Sequence, residues 1–363
     1  MSRILLLGGT GAIGVYLRDI LSQNNHTVYV TTRSYRRDYD NVHYLQGNAH
    51  DIGFISPILK EITPDAVVDF MSYTTDEFSK RHVQMLAGTG HYVFLSSYRV
   101  FNEDKVITEK SPRLLDTIAD RDYLRTDEYA LRKARSEDML RGSARSNWTI
   151  IRPGITYSKQ RFQLGCLEAN TLCYRSFHAL PVVMPSLMRG KETTLTWGRD
   201  VALMISKLLL NIEAMGEDFN CVTAEHHKWD DVCDIYHREI GADIRDCSVE
   251  DYISIVGSMA QVEYDRLFDR IMDNSKVLRV TGIKQCELTK LNDGLASELG
   301  KLKLNPSCVF PDVTCCARID KLFGTRTPLK GMSLGMRLTY WEARNSVIGH
   351  GMRILRRLRR VVG

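Results

Sequence analysis

The segment Leu5-Leu6-Leu7-Gly8-Gly9-Thr10-Gly11-Ala12-Ile13-Gly14 restricts the possible folds of this chain more than any other stretch. It opens as an apolar run of strand length and passes through clustered glycines into a helical pattern over residues 15–21. A strand that runs through glycines directly into a helix is the sequence form of a phosphate-binding turn. In that form Gly8 permits the tight turn, and Gly11 lets backbone N–H groups approach a pyrophosphate. Gly14 allows helix and strand to pack closely, and Thr10, Ala12 and Ile13 complete a loop that leads to an anion-favouring helix N-terminus.

Further strand-like runs at 27–31, 43–46, 66–70, 92–95 and 148–151 alternate with helical patterns at 55–62 and 127–140. Such alternation implies right-handed crossovers and a parallel sheet covered on both faces. The expected fold is therefore α/β: a Rossmann-like doubly wound parallel sheet with a smaller, mostly helical C-terminal substrate lobe. A length of 363 residues is long for one core and fits two lobes with an extension. Residues 1–155 are assigned to the dinucleotide-binding domain, with 199–222 returning to it as a helix and a strand. Residues 102–125 read as a polar loop, 156–198 and 223–330 as the substrate lobe, and 331–363 as a basic amphipathic extension.

The end of the second strand discriminates between cofactors. An acidic residue there would accept hydrogen bonds from a ribose 2′-OH. Here the chain reads Val30-Thr31-Thr32-Arg33-Ser34, with Arg36 and Arg37 following. A guanidinium suits a 2′-phosphate, so Arg33 favours NADP(H) over NAD(H). The alternative is that these arginines form a solvated loop and NAD(H) binds. Asn48 and Ala49 close the third strand, where side chains can flank an adenine.

Val93-Phe94-Leu95-Ser96-Ser97-Tyr98-Arg99-Val100-Phe101 is apolar, then polar, then apolar again. A buried strand would not normally place two hydroxyls, a phenol and a guanidinium mid-run, which marks its end as a place where a strand opens onto a ligand. Tyr129 and Lys133 stand four apart on a predicted helix, hence on one face. A lysine charge beside a phenol favours the phenolate and suits acid/base work. Alone, such a pair is more often surface decoration; the hydroxyl-bearing strand end gives it meaning.

Together the glycine loop, Ser96-Ser97 before Val100, Tyr129-x-x-x-Lys133 and Ile150-Ile151-Arg152-Pro153-Gly154 resemble an extended short-chain dehydrogenase/reductase. The closest likeness is to the NAD-dependent epimerase/dehydratase family, which acts on nucleotide-activated sugars. Trp197-Gly198-Arg199-Asp200 and Asp218-Phe219-Asn220 add to it, and the resemblance spans roughly residues 3–300. It implies Ser97 as the catalytic hydroxyl, with Ser96 beside it at the cofactor. Tyr129 would be the acid/base, Lys133 would hold the nicotinamide ribose, and Pro153 would line the nicotinamide pocket.

Departures narrow the chemistry. Family 4,6-dehydratases carry an Asp-Glu pair where this chain has Tyr98 and Arg99, so elimination lacks its carboxylates. Asn48 stands where the family usually has Asp, and Thr32-Arg33 where NAD-retaining epimerases usually have an acid. The expectation is an NADPH-dependent ketoreductase acting on a nucleotide sugar, with a nucleotide-sugar 4-epimerase second. A non-catalytic dinucleotide-binding sensor or scaffold is the competitor of a different class. Atypical members of the superfamily that have lost activity usually lack the Tyr or Lys, and both are present here.

A net charge of +5 is mildly basic and too small to argue for nucleic acid, and no apolar run approaches the roughly 18 residues of a membrane span. Nine cysteines without a CxxC pair or an accompanying His cluster argue against metal and for reduced thiols in a cytoplasmic protein. Arg161, Arg175, Arg189 and Lys191 could neutralise a sugar-nucleotide pyrophosphate, although surface roles suit each singly. The C-terminus places five arginines within 353–360 among apolar residues. That pattern suits peripheral attachment to an anionic membrane surface or an acidic partner, and equally a helix end packed on its own domain or on a second subunit in a homodimer.

Overall fold

The apolar runs form one seven-stranded parallel sheet in the computed structural model, which describes residues 1–158, 161–304 and 309–345. In chain order the first unit contains β1 (Arg3–Leu7), α1 (Gly14–Gln23), β2 (Thr27–Thr32), β3 (Val42–Gln46), α2 (Ile52–Ile62), β4 (Ala66–Asp69) and β5 (His91–Leu95). It continues with α3 (Tyr129–Arg141), β6 (Trp148–Pro153), α4 (Gly198–Leu208) and β7 (Glu217–Cys221). The strand order is β7-β6-β5-β4-β1-β2-β3, with every neighbouring pair parallel. The chain thus winds outward from β1 in both directions, and in doubly wound sheets ligands bind outside the carboxyl ends of the strands at such a reversal.

Alternation along the strands builds two cores. Ile4, Leu6, Val28, Val30, Val68, Val93 and Ile151 pack with Leu17 and Leu21 of α1 and with Val201, Ile205 and Leu208 of α4. Leu5, Leu7, Val67, Phe94 and Ile150 face the other way, against Ile55 and Leu59 of α2 and Leu140 of α3. Both faces of the sheet are therefore covered, and this is why its strands read as continuous apolar runs.

Contacts along the chain divide it into two units: Met1–Ser158, Glu192–His226 and Phe268–Gly294, and Lys159–Lys191, His227–Leu267 and Leu295–Gly363. Residues 268–294, read from sequence as substrate lobe, group with the sheet unit. In the second unit Val182–Pro185 and Ile244–Cys247 pair in parallel, and helices include Ala169–Phe177, Trp229–Ile240, Val249–Val256, Val313–Phe323 and Leu334–Arg344. Leu334–Arg344 lies inside the segment expected to be an extension, yet its Tyr340 donates to Asp320 of the preceding helix at 2.8 Å. The arginine-rich residues 353–360 lie outside the described residues. The segment 102–125 is not all loop. It holds Leu114–Thr117 and Arg121–Leu124, single turns too short for periodicity to register, the second capped by Asp120.

One buried ion pair ties α3 to the sheet. Glu137 of α3 accepts from Nε and an NH2 nitrogen of Arg152 on β6, both at 2.8 Å, and both side chains are buried. Arg152 also pairs with Asp218 of β7 at 2.8 Å, which in turn receives Arg141 of α3 at 2.7 Å. Burial works against the Glu137 charge, but the guanidinium of Arg152, the neighbouring Arg141 and a hydrogen bond from Ser96 outweigh it and hold its pKa below the usual carboxylate range. A carboxylate depressed in the folded state stabilises above its unfolded pKa, near ~4.3, and loses that contribution as pH falls through the lower folded value. Glu137→Gln should cost about 3 kcal/mol, the lower end for breaking a buried pair because Arg152 keeps Asp218, and should remove this part of the acid destabilisation. Urea unfolding as a function of pH measures both effects; an unchanged midpoint at neutral pH would contradict the role assigned to the pair.

Candidate active site

The glycine loop adopts the conformation its sequence implies. Gly8 has φ +71°, where other residues are strained, and a Cβ there would lie 2.7 Å from the Met71 sulfur. A Cβ on Gly14 would lie 2.5 Å from the backbone oxygen of Gly9, so only glycine lets α1 start this close to the loop. At Gly11 the nearest atom to such a Cβ is the Gly8 carbonyl oxygen at 3.8 Å, leaving room above the turn. No side chain caps the N-terminus of α1, and Thr31 Oγ1 accepts from Gly8 N at 2.9 Å, holding the loop to β2. Open space, uncapped N–H groups and a fixed turn fit a dinucleotide pyrophosphate.

Around this loop, Arg33 is exposed just past the end of β2. Asn48 is exposed and accepts from His50 N at 3.1 Å, while Ala49 is buried and its carbonyl accepts from Arg81 at 2.9 Å. Ile13 is buried in the core, Thr10 is half-buried, and Pro153 ends β6.

The polar end of β5 resolves into two roles. Ser96 Oγ donates to Glu137 at 2.6 Å, so this hydroxyl serves the buried ion pair. Ser97 Oγ accepts from Arg99 N at 3.2 Å, capping the single turn Tyr98–Val100. The Ser97 hydroxyl donates to no protein group among the described residues. The same holds for Tyr129 at the first position of α3, which is half-buried. Glu128 caps α3 by accepting from Ala130 N at 2.7 Å, and Arg99 donates to it at 2.7 Å. The Arg99 guanidinium carbon lies 5.2 Å from the Tyr129 ring centroid, so the Ser97 turn and the start of α3 are neighbours.

Lys133 is buried one turn further along α3. Its Nζ donates to the carbonyls of Leu95 at 2.6 Å and Met71 at 3.1 Å, leaving the third N–H of an ammonium unspent. It sits 6.0 Å from the Tyr129 ring centroid. Burial pushes the Lys133 pKa down to about 8, with Arg132 adding to the fall and Asp69 and Glu137 opposing it. Asp69, at the end of β4, is fully buried and accepts from Tyr92 at 2.7 Å, Tyr73 at 3.1 Å and Met71 N at 2.9 Å. Desolvation raises its pKa above the usual range.

Among the arginines proposed to meet a pyrophosphate, Arg175 is excluded. It is buried in the second unit, pairs with Asp320 at 3.0 Å and donates to the Pro181 carbonyl at 2.6 Å. Arg189 pairs with Asp230 at 3.0 Å and Asp246 at 2.5 Å, and Arg161 is exposed. The residues that sequence reasoning missed are Asp69, Arg132 and Glu137. The last stands four residues after Lys133, on the same helix face, and that spacing was the available signal.

A parallel sheet whose first strand passes through an open glycine loop into a helix fits a dinucleotide-binding fold. The chain belongs to the NAD dependent epimerase/dehydratase family, whose model matches residues 4–221. No curated protein matches the chain in sequence. Solved structures of similar fold include the epimerase Mth375 from Methanothermobacter thermautotrophicus, at 15% identity and TM-score 0.66, covering 85% of this chain and 94% of that one. A dTDP-glucose 4,6-dehydratase from Bacillus anthracis in complex with NAD matches at 14% identity and TM-score 0.64, over 85% and 98% of the two chains. A Thermus thermophilus UDP-glucose 4-epimerase complex with NAD matches at 16% identity and TM-score 0.61, over 83% and 99%. Among the described residues no helix is long and apolar enough to cross a membrane.

Tyr129→Phe should keep the fold and cofactor binding but lower turnover by about 10²–10⁴-fold, the usual worth of a positioned acid/base. With burial pushing the Lys133 pKa down to about 8, kcat/KM of the wild type should fall as pH rises past about 8. A steady-state pH profile checks this, and an alkaline limb unchanged by Lys133→Arg would contradict it.

Proposed function

We propose that the protein is an NAD(P)(H)-dependent oxidoreductase of a nucleotide-activated sugar, with NADPH-dependent reduction of a keto-sugar as its reaction. The observation that carries this reading is the pair of hydroxyls, Ser97 and Tyr129, that donate to no described protein group beside a buried Lys133 with an N–H to spare. Residues Gly8 to Gly14 and the start of α1 would hold the cofactor pyrophosphate, Asn48 and Ala49 its adenine, and Pro153 would face the nicotinamide. Lys133 would donate to the nicotinamide ribose. When bound, the nicotinamide supplies the hydride donor or acceptor. Tyr129 would give its proton to the sugar oxygen as a carbonyl becomes an alcohol, and take one in the reverse direction. Ser97 would hold that oxygen in line.

Elimination of water is disfavoured by the same geometry. Tyr98 is buried and Arg99 is a cation where dehydratases carry acids. Glu128, next to Tyr129, is taken up by Arg99, Ala130 N and the Tyr123 hydroxyl at 3.0 Å. A second reading, 4-epimerisation through transient oxidation, uses the same residues and is supported by family membership and by the UDP-glucose 4-epimerase of similar fold.

Arg33 supports NADPH, being an exposed guanidinium at the end of β2 with no carboxylate paired to it among the described residues. Arg33→Ala should raise the Kd for NADPH by roughly tenfold or more and leave that for NADH nearly unchanged, as loss of a charge-assisted contact to phosphate requires. Equal effects on both cofactors would contradict the preference. The reaction itself is tested by incubation with UDP-, GDP-, CDP- and dTDP-sugars and keto-sugars while NADPH absorbance and product mass are followed together. Loss of absorbance with a gain of two hydrogens is the expected result. A new isomer of unchanged mass without net NADPH loss would favour epimerisation, and no turnover across the panel would contradict both.

A further inference from the structure

Three cations surround the Tyr129 ring: Arg99 at 5.2 Å, Arg132 at 5.4 Å and Lys133 at 6.0 Å from its centroid. Two of them have protein partners. Arg99 is paired with Glu128, and Lys133 is held by two carbonyls and attracted by Asp69 and Glu137. Arg132 differs. Among the described residues its one side-chain hydrogen bond is from an NH2 nitrogen to Ser72 Oγ at 3.1 Å, no carboxylate pairs with it, and its Nε is shut off from solvent without an acceptor. A guanidinium carries five donors, so most of this fork is unspent. Holding a half-buried cation in that state is costly unless an anion completes it.

The location narrows the anion. Arg132 lies three residues after Tyr129, on the same face of α3. Ser72 follows β4 at the carboxyl end of the sheet, the end that meets ligand in doubly wound folds. Under the proposed function the cofactor pyrophosphate belongs to the glycine loop and a 2′-phosphate to Arg33. The group beside the Tyr129 hydroxyl is then the sugar ring. A planar fork matches a carboxylate in two-point contact.

We infer that Arg132 binds a carboxylate carried by the sugar ring, so that the substrate is a nucleotide-linked uronic acid. This rests on the nucleotide-sugar reading above and adds the charge of the sugar to it. With Arg99 neutralised by Glu128, Arg132 leaves an uncompensated positive charge beside the Tyr129 ring, which neutral hexoses do not use.

Isothermal titration of the cofactor-loaded protein with UDP-glucuronate, GDP-mannuronate, UDP-glucose and GDP-mannose tests the inference. At least one uronate should bind about tenfold or more tighter than its neutral counterpart, as expected for a charge-assisted contact. Arg132→Met should abolish that difference, and Arg132→Lys should restore part of it; Arg132→Gln replaces the Met variant if thermal melting shows that it does not fold. Equal affinity for neutral and acidic sugars, or a uronate preference that survives in the variant, overturns the proposal. A loss of cofactor affinity in Arg132→Met would assign the guanidinium to a cofactor phosphate and overturn it as well. Absence of binding by all four sugars contradicts the nucleotide-sugar reading, and the inference falls with it.

Discussion

The contact between Glu137 and Arg152 ties together the end of β5, the end of β6 and the helix that carries Tyr129 and Lys133. It joins α3, which carries Tyr129 and Lys133, to β6, whose last residue is Pro153, and it takes the Ser96 hydroxyl at the end of β5 as a further partner. Burying two charges is unfavourable by itself, and good geometry with further partners offsets that cost. Here the contact is two-pronged, and the nitrogen that reaches Glu137 Oε2 also pairs with Asp218, while the other terminal nitrogen is buried without an acceptor among the described residues. The helix face that displays the phenol and ammonium is thereby fixed in rotation. Ser97, one residue past the anchored Ser96, is free to donate outward.

A second buried group works alongside the first. Asp69, capped by two phenols, places a carboxyl under Lys133 without giving it a solvent-exposed partner. The lysine is thus held by carbonyls, its pKa is pushed down by burial, and one donor is left unspent. Rigid support and an unspent hydrogen bond are what the proposed ribose-binding role of Lys133 requires.

Much of this was legible in the sequence because it is local. The glycine loop, the run of strands and the four-residue spacing of Tyr129 and Lys133 each depend on neighbours in the chain. The Rossmann-like order follows from them with the handedness of crossovers. What was not legible is pairing at a distance. Arg152 stood in a recognisable Arg-Pro-Gly motif, but nothing local says that its partner lies 15 residues earlier on a helix. Arg175 looked like a surface cation because its charge neutraliser, Asp320, is 145 residues away. The family resemblance told Ser97 from Ser96, but nothing local says that the Ser96 hydroxyl is spent on Glu137, 41 residues further along the chain. The single-turn helices of 102–125 were missed for a different reason, as one turn has no period to detect.

The central claim is that the end of β5 and the start of α3 form a hydride-transfer site organised from beneath by Glu137 and Arg152. A crystal structure with NADP bound tests it most directly. The account predicts the pyrophosphate over Gly11, Lys133 Nζ within about 3 Å of a nicotinamide-ribose hydroxyl, and the Ser97 and Tyr129 hydroxyls facing the nicotinamide ring. A cofactor bound with its nicotinamide directed away from Tyr129, or Lys133 left on its two carbonyls alone, would contradict it.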